Sequence, residues 1–310
     1  MAKISAWSRY GRHLILLKRI RIVGVIVIAL AIVIVSIYGI LHVRSGVNSE
    51  RRELLRVWTE GDYESAYEIS KAFLAEKPID NFLLTVNGFS AYQLGISQIN
   101  NHNTLYFIDK CIFSLRKALL NNHKDGRICY VLGKAYGYKG AEYADLAVKY
   151  LEMADSLSYE ASDIPEFLGL AYAAYGDYRN SVDAFSRAFA QGEQPSDNLL
   201  LSIARSYIAM EEYNMAMSYL QHCIAISPDS KSIIISRLML AEVYRTLNDF
   251  SNAENQYLSI LNETGENAEV RFQLGELYSQ LGDTTRARAE WRIAFRQDPA
   301  HARARARLNI

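Results

Sequence analysis

The chain has 310 residues, half of them apolar, only five prolines, and 34 basic against 34 acidic residues, a composition that excludes a disordered tail and favours helices around a sizeable core. The charge is uneven, because Lys3, Arg9, Arg12, Lys18, Arg19 and Arg21 fall in the first 21 residues with no acid, leaving 28 basic against 34 acidic residues, a net −6, for the remainder. An acidic body argues against nucleic acid as a partner, and three scattered cysteines (Cys111, Cys129, Cys223) with six unclustered histidines exclude a disulfide framework and a metal site.

Residues 1–21 form a basic, cytoplasmic N-terminal segment, in which Ile4 to Ile20 reads equally as a short helix on the inner membrane surface or as a tail. Residues 22–41, IVGVIVIALAIVIVSIYGIL, carry no charge, and twenty residues at ~1.5 Å each span the ~30 Å hydrocarbon layer. One transmembrane helix is predicted here. The competing reading, a cleaved signal peptide, has an apolar core of only ~7–15 residues and a small-residue cleavage site, whereas His42, Val43 and Arg44 follow this span. Six basic residues before the span against Arg44, Arg51 and Arg52 after it predict a cytoplasmic N-terminus, with the rest beyond a bacterial inner membrane in the periplasm. Trp7, Tyr10 and Tyr38 suit the interfaces.

Beyond the anchor the chain repeats itself. Tyr136, Tyr172, Tyr207, Tyr244 and Tyr278 recur at intervals of 36, 35, 37 and 34 residues, the period of a helix-turn-helix repeat. The clearest unit, 268–301, places Leu274, Gly275 and Tyr278 on a first helix, Gly282-Asp283 in a turn, Ala287, Trp291 and Ala294 on a second helix, and Pro299 at the close. The same order is read in 234–267 (Leu240, Ala241, Tyr244, Ala253, Tyr257), 197–230 (Ile203, Ala204, Tyr207, Ala216, Leu220), 162–195 (Leu168, Gly169, Tyr172, Gly176-Asp177, Phe185) and 126–161. The last of these holds Leu132, Gly133 and Tyr136, then a two-residue insertion before Ala147, Leu151 and Ala154. Residues 47–122 hold two degenerate units, one keeping Gly61-Asp62-Tyr63 and Ala66, the other Gly88, Tyr92, Leu115 and Ala118 around a longer loop near 95–103. Residues 302–310 are expected to form a short capping helix; Arg286, Arg288, Arg292, Arg296, Arg303 and Arg307 make this end locally basic, which reads as a solvated face or as a site for an acidic partner or lipid head group.

These residues resemble the tetratricopeptide repeat (TPR) family over roughly 250 residues. The resemblance implies an all-α, right-handed solenoid of helix-turn-helix units, here preceded by one transmembrane helix, and a protein-binding function. It also implies that first helices line a concave surface, which here takes in Tyr130, Lys134, Leu170, Leu201, Arg205, Ile208, Leu238, Glu242, Arg245, Phe272 and Glu276, suited to a peptide or helix. The carboxylate clamp of chaperone-binding TPR domains is missing, since its positions hold Tyr130 and Lys134, Ser202, Ile235 and Met239.

No phosphate-binding glycine loop, nucleophile elbow or Cys/His pair is present, so no catalysis, cofactor or small-molecule substrate is expected. The expected role is an inner-membrane scaffold holding a periplasmic repeat array against other proteins in an envelope complex of the secretion, outer-membrane-assembly or flagellar-motor-collar kind. The alternative is a cytosol-facing TPR receptor or regulatory anchor, which needs the opposite topology.

Overall fold

The computed structural model describes residues 49–98, 101–121, 124–191 and 195–309. The basic segment 1–21 and the expected transmembrane span 22–41 lie outside the described residues, among which no helix is long and apolar enough to cross a membrane. The described residues form fifteen α-helices and no strand. The chain divides into two compact units, 1–78 and 79–310.

In the first unit α1 (Ser49–Thr59) packs on α2 (Tyr63–Glu76), with Leu54, Val57 and Ala66 buried and the Trp58 and Tyr63 rings edge to face at 5.1 Å.

The second unit is a succession of helix pairs: α3 (Asn81–Ile96) with α4 (Asn101–Asn121), α5 (Gly126–Lys139) with α6 (Ala144–Ser156), and α7 (Ile164–Tyr175) with α8 (Tyr178–Gln191). Then come α9 (Asp197–Ala209) with α10 (Tyr213–Ile226), α11 (Ser230–Thr246) with α12 (Phe250–Thr264), and α13 (Ala268–Gln280) with α14 (Thr284–Gln297). A seven-residue helix, α15 (Ala302–Leu308), packs on α14. Each pair stacks on the second helix of the pair before it, and neighbouring first helices from α3 to α11 also touch, so these helices share one side of the array.

What draws each pair together is a small residue on the first helix seated beneath a large one from the second. Gly169 lies under Phe185 and Gly275 under Trp291, where a Cβ would stand 2.4 Å and 2.5 Å from the ring. Gly133 lies under Leu151 and Gly88 under Leu115, with the same 2.5 Å conflict. In the other two pairs alanine takes the small position, Ala204 in one cluster with Leu220 and Ala241 in one with Tyr257. All these large side chains are buried, so each contact joins close backbone approach to apolar burial.

The turns inside the pairs are equally regular. The N–H groups of Asp177, Glu212, Asp249 and Asp283 donate to the carbonyls of Tyr172, Tyr207, Tyr244 and Tyr278 at 2.8–2.9 Å, while the residue before each donor bonds the carbonyl three places back. This is the six-to-one, five-to-two closure of a Schellman motif, and it needs a left-handed residue: Gly176, Glu211, Asn248 and Gly282 all have positive φ. In three of these turns the donor is an aspartate that also starts the next helix, Asp177 accepting from the Asn180 N–H, Asp249 from the Asn252 N–H and Asp283 from the Arg286 N–H.

Two local departures from the expected repeat stand out. The first helix of the 234–267 unit begins at Ser230, four residues early, because Asp229 accepts the N–H groups of Lys231 and Ser232 just after Pro228. Between α5 and α6 the insertion replaces the Schellman turn by Gly140, at φ 102°, and a 3-10 turn at Ala141–Tyr143.

Helix α5 carries two glycines four residues apart with opposite roles. A methyl at Gly133 would meet Leu151, whereas one at Gly137 would meet nothing within 4 Å. Gly133→Ala is therefore expected to lower stability by about 1–3 kcal/mol through overpacking, and Gly137→Ala to raise it by about 0.5–1 kcal/mol through the lower entropy of the unfolded helix. Thermal and urea denaturation of the two variants checks the opposite signs.

Candidate functional site

The insertion between α5 and α6 leaves a gap on the side shared by the first helices. Gly137, Gly140, Ala144, Ala147, Ala171 and Ala174 supply little or no side chain, and an apolar niche of about 200 Å³ opens between α5, α6 and α7. Its walls are completed by Gly133, Lys134, Tyr138, Leu151, Phe167 and Leu170. Tyr138 and Leu170 are about half exposed at its edge, and Tyr175, the last residue of α7, is more exposed still. For scale, an apolar cavity of about 150 Å³ can take up a benzene ring.

One polar cluster fixes the rim. Lys134 Nζ donates to Asp163 at 3.0 Å and to Tyr130 Oη at 2.9 Å, while Tyr130 Oη donates to Asp163 at 2.7 Å. The ammonium also lies 4.0 Å from the Phe167 ring centroid, a cation–π contact that holds that ring in the wall. Burial, and then the hydrogen bond to Asp163, raise the Tyr130 hydroxyl well above the usual tyrosine range, so the phenol stays neutral.

Of the eleven residues expected on a concave surface, Lys134 and Leu170 line this niche and Tyr130 positions Lys134. Arg205 and Glu242 are exposed. Ile208 and Leu238 are half-buried and pack on the core clusters beneath them. Arg245 is tied to Glu242 at 3.0 Å and to Gln280 at 3.1 Å.

Two expectations are corrected. Leu201, 2% exposed, belongs to the core with Leu200, Ala204 and Leu220 because its face of α9 is covered by neighbouring helices, so a charge there would be buried without a partner rather than block a ligand. Phe272, 4% exposed, is covered by the chain's own terminal helix: the His301 ring lies at 5.0 Å and the Arg303 guanidinium at 4.7 Å. Glu276 is likewise engaged, accepting from Arg307 at 2.5 Å. Helix α15 therefore occupies the end of the first-helix side.

Sequence reasoning missed Gly137, Tyr138, Gly140, Ala144, Phe167 and Ala174. The one available signal was the insertion beside two extra glycines. Among the described residues no cluster of three or more His, Cys, Asp or Glu is placed to hold a metal ion, and all three cysteines are buried and free.

A model of the tetratricopeptide repeat family matches residues 198–230 and 268–301. The chain carries TPR repeats. The C-terminal part of a TPR repeat-containing protein from Cytophaga hutchinsonii superposes with a TM-score of 0.62 at 16% identity, over 84% of this chain and 99% of that one. PilW, a type IV pilus biogenesis factor, gives 0.55 at 16% identity over 71% and 98%. A TPR protein from Parabacteroides merdae gives 0.51 at 17% identity over 84% and 96%. No curated protein matches the sequence. The TPR fold is thus shared by proteins of little sequence likeness; such domains are protein-interaction modules.

The attachment of α15 to the last TPR unit depends on acid. Arg303 Nη2 donates to both carboxylate oxygens of Glu269, at 2.5 and 2.6 Å, with Gln273 donating at 2.8 Å and His301 Nε2 at 3.2 Å. Burial pushes its carboxyl up, but the hydrogen bonds from Gln273 and Arg303 and the facing charges outweigh this and hold it below the usual carboxylate range. A depressed folded value means the stabilisation is present above the unfolded value of about 4.3 and is lost as pH falls through the lower folded one. Below about pH 4 the terminal helix should loosen. Because Arg307 lies 5.5 Å from the buried Trp291 ring, the release is expected as a red shift of Trp291 emission, read with Trp7 and Trp58 replaced by Phe. Glu269→Gln should show the shift already at neutral pH.

Proposed function

We infer that this TPR protein is a non-enzymatic scaffold, anchored in a bacterial inner membrane through residues 22–41, that holds another protein against the first-helix side of its repeats in the periplasm. The observation that carries the binding reading is the niche between α5, α6 and α7, an apolar opening sized for one large side chain at the point where the repeat is interrupted. A protein segment, helical or extended, would seat a leucine or aromatic side chain there. Burying one such side chain contributes about 1.5–3 kcal/mol, and anchors of this kind dominate interface energies. Tyr138 and Leu170 would flank the segment, and the Lys134–Asp163–Tyr130 cluster would give polar register beside it. The uncharged span and the six basic residues before it support the anchor and its direction. The fold shared with PilW, a type IV pilus biogenesis factor, suits a part in assembling an envelope complex.

Gly137→Phe should fill the niche from its own wall, since nothing lies within 4 Å of a Cβ there. The variant is expected to keep the wild-type circular dichroism and melting temperature while losing the partner that a photo-crosslinker at Tyr138 captures in wild type. An unchanged crosslinked partner would rule the niche out.

Topology is tested separately. An alkaline phosphatase fusion after Ile310 should be active and a green fluorescent protein fusion at the same point dark. The reverse pattern would place the repeats in the cytosol and support a receptor or regulatory anchor instead.

A further inference from the structure

Residues 284–309 hold seven arginines against only Glu290 and Asp298. The structure divides those arginines. Arg286 pairs with Asp283, Arg303 with Glu269 and Arg307 with Glu276, so these three fasten the last repeat and its terminal helix. Arg288, Arg292 and Arg296 behave differently: all three are exposed, and none has an ion-pair or hydrogen-bond partner among the described residues. The acids nearby are committed elsewhere, Glu290 to Arg271 at 3.0 Å and Asp298 to the Ala300 N–H. Arg305, on α15, is exposed as well.

Four-residue spacing sets the three guanidiniums in one row along α14, about 6 Å apart and about 12 Å from first to last. Like charges at this spacing oppose helix formation, and elsewhere in the repeats Arg187, Arg237, Arg245 and Arg271 each have an acid within 3.2 Å. The exposed side chains on one flank of the row, Thr285 and Ala289, are small. None of the exposed large apolar side chains lies on α14.

We propose that this row is a second docking surface, specific for an acidic helix of a partner protein whose Asp or Glu residues recur every four positions. Such a helix laid along α14 places a carboxylate opposite each guanidinium, the geometry in which arginine bonds in bidentate fashion, while Thr285 and Ala289 let the helices come close. The numbers disfavour other anions. Lipid recognition uses clusters of about four to eight basic residues, usually with apolar side chains that enter the interface, and α14 offers three and no such side chain. Nucleic-acid binding typically engages about six to ten phosphates. A long polyanion would also lie against a chain whose net charge after residue 21 is −6, whereas one short acidic face meets only the row. This surface is independent of the niche.

The test uses the full chain in uncharged detergent and a fluorescein-labelled alanine-based helix carrying glutamates at three successive four-residue steps. A glutamine version of the same peptide, phosphatidylglycerol vesicles and a single-stranded oligonucleotide are the comparisons. The glutamate helix should bind at least tenfold tighter than the glutamine helix and weaken at least tenfold between 50 and 300 mM salt. Binding should be lost in Arg288→Glu/Arg292→Glu/Arg296→Glu. The Gln triple variant should melt no lower than wild type, because the row makes no internal hydrogen bond or ion pair among the described residues. Equal binding of the two helices, binding that survives the charge reversal, tighter binding to vesicles or oligonucleotide than to the glutamate helix, or a lower melting temperature of the Gln variant would each overturn the proposal.

Discussion

Everything in the second unit rests on one contact made six times, a large side chain of a second helix pressed onto a residue of the first helix that has little or no side chain. Closeness at that point sets the distance between the two axes, and so decides which further residues of each helix are covered by the next pair. Gly169 cannot carry even a methyl group against Phe185, nor Gly275 against Trp291. Where alanine serves instead, at Ala204 and Ala241, the side chain beneath which it sits is a leucine in one case and a tyrosine in the other. The large partner thus varies from leucine to tryptophan, while the small one stays glycine or alanine so that the backbones can approach.

The turn and the contact reinforce each other. From small residue to large residue is 16 positions in four consecutive pairs, from Gly169 to Phe185 through Gly275 to Trp291, and this constancy follows from the Schellman closure, which fixes how many residues reverse the chain. The tyrosine three places after the small residue provides the carbonyl for that closure. In α5 and α6 the separation is 18, from Gly133 to Leu151, and the closure is gone. The contact is preserved, so the two extra residues cannot be absorbed between the helices. They are absorbed at their ends, where Gly137, Gly140 and Ala144 leave the space that forms the niche.

That difference explains what the sequence made legible. Tyrosine spacing and the small–large pairing are local consequences of the repeat, so they could be read one unit at a time, and the all-α TPR character of the chain followed from them. Exposure was harder to read because it depends on the neighbouring unit. Leu170, Arg205 and Glu242 each follow the small residue of their first helix and are exposed, whereas Leu201 and Phe272, three residues before it, are 2% and 4% exposed because neighbouring helices cover them. Phe272 lost its place on the surface to α15, whose arginines looked in sequence like part of one basic patch. The niche, being made by side chains that are missing, left only one trace in the sequence, the insertion beside Gly137 and Gly140.

The same distinction separates the two surfaces by the work each can do. An apolar niche near 200 Å³ stabilises a complex through water released when a side chain fills it, a short-range effect that sets how long the partner stays. A row of unpaired arginines acts over a screening length of about 8–10 Å, guiding approach and fixing register while adding less to affinity at physiological salt. If one partner engages both, the second contact forms at the effective concentration set by the first, and avidity can exceed either affinity alone by about 10²–10⁴. A stacked helical array suits that arrangement, because its helix pairs hold α5 to α7 and α14 within a single compact unit.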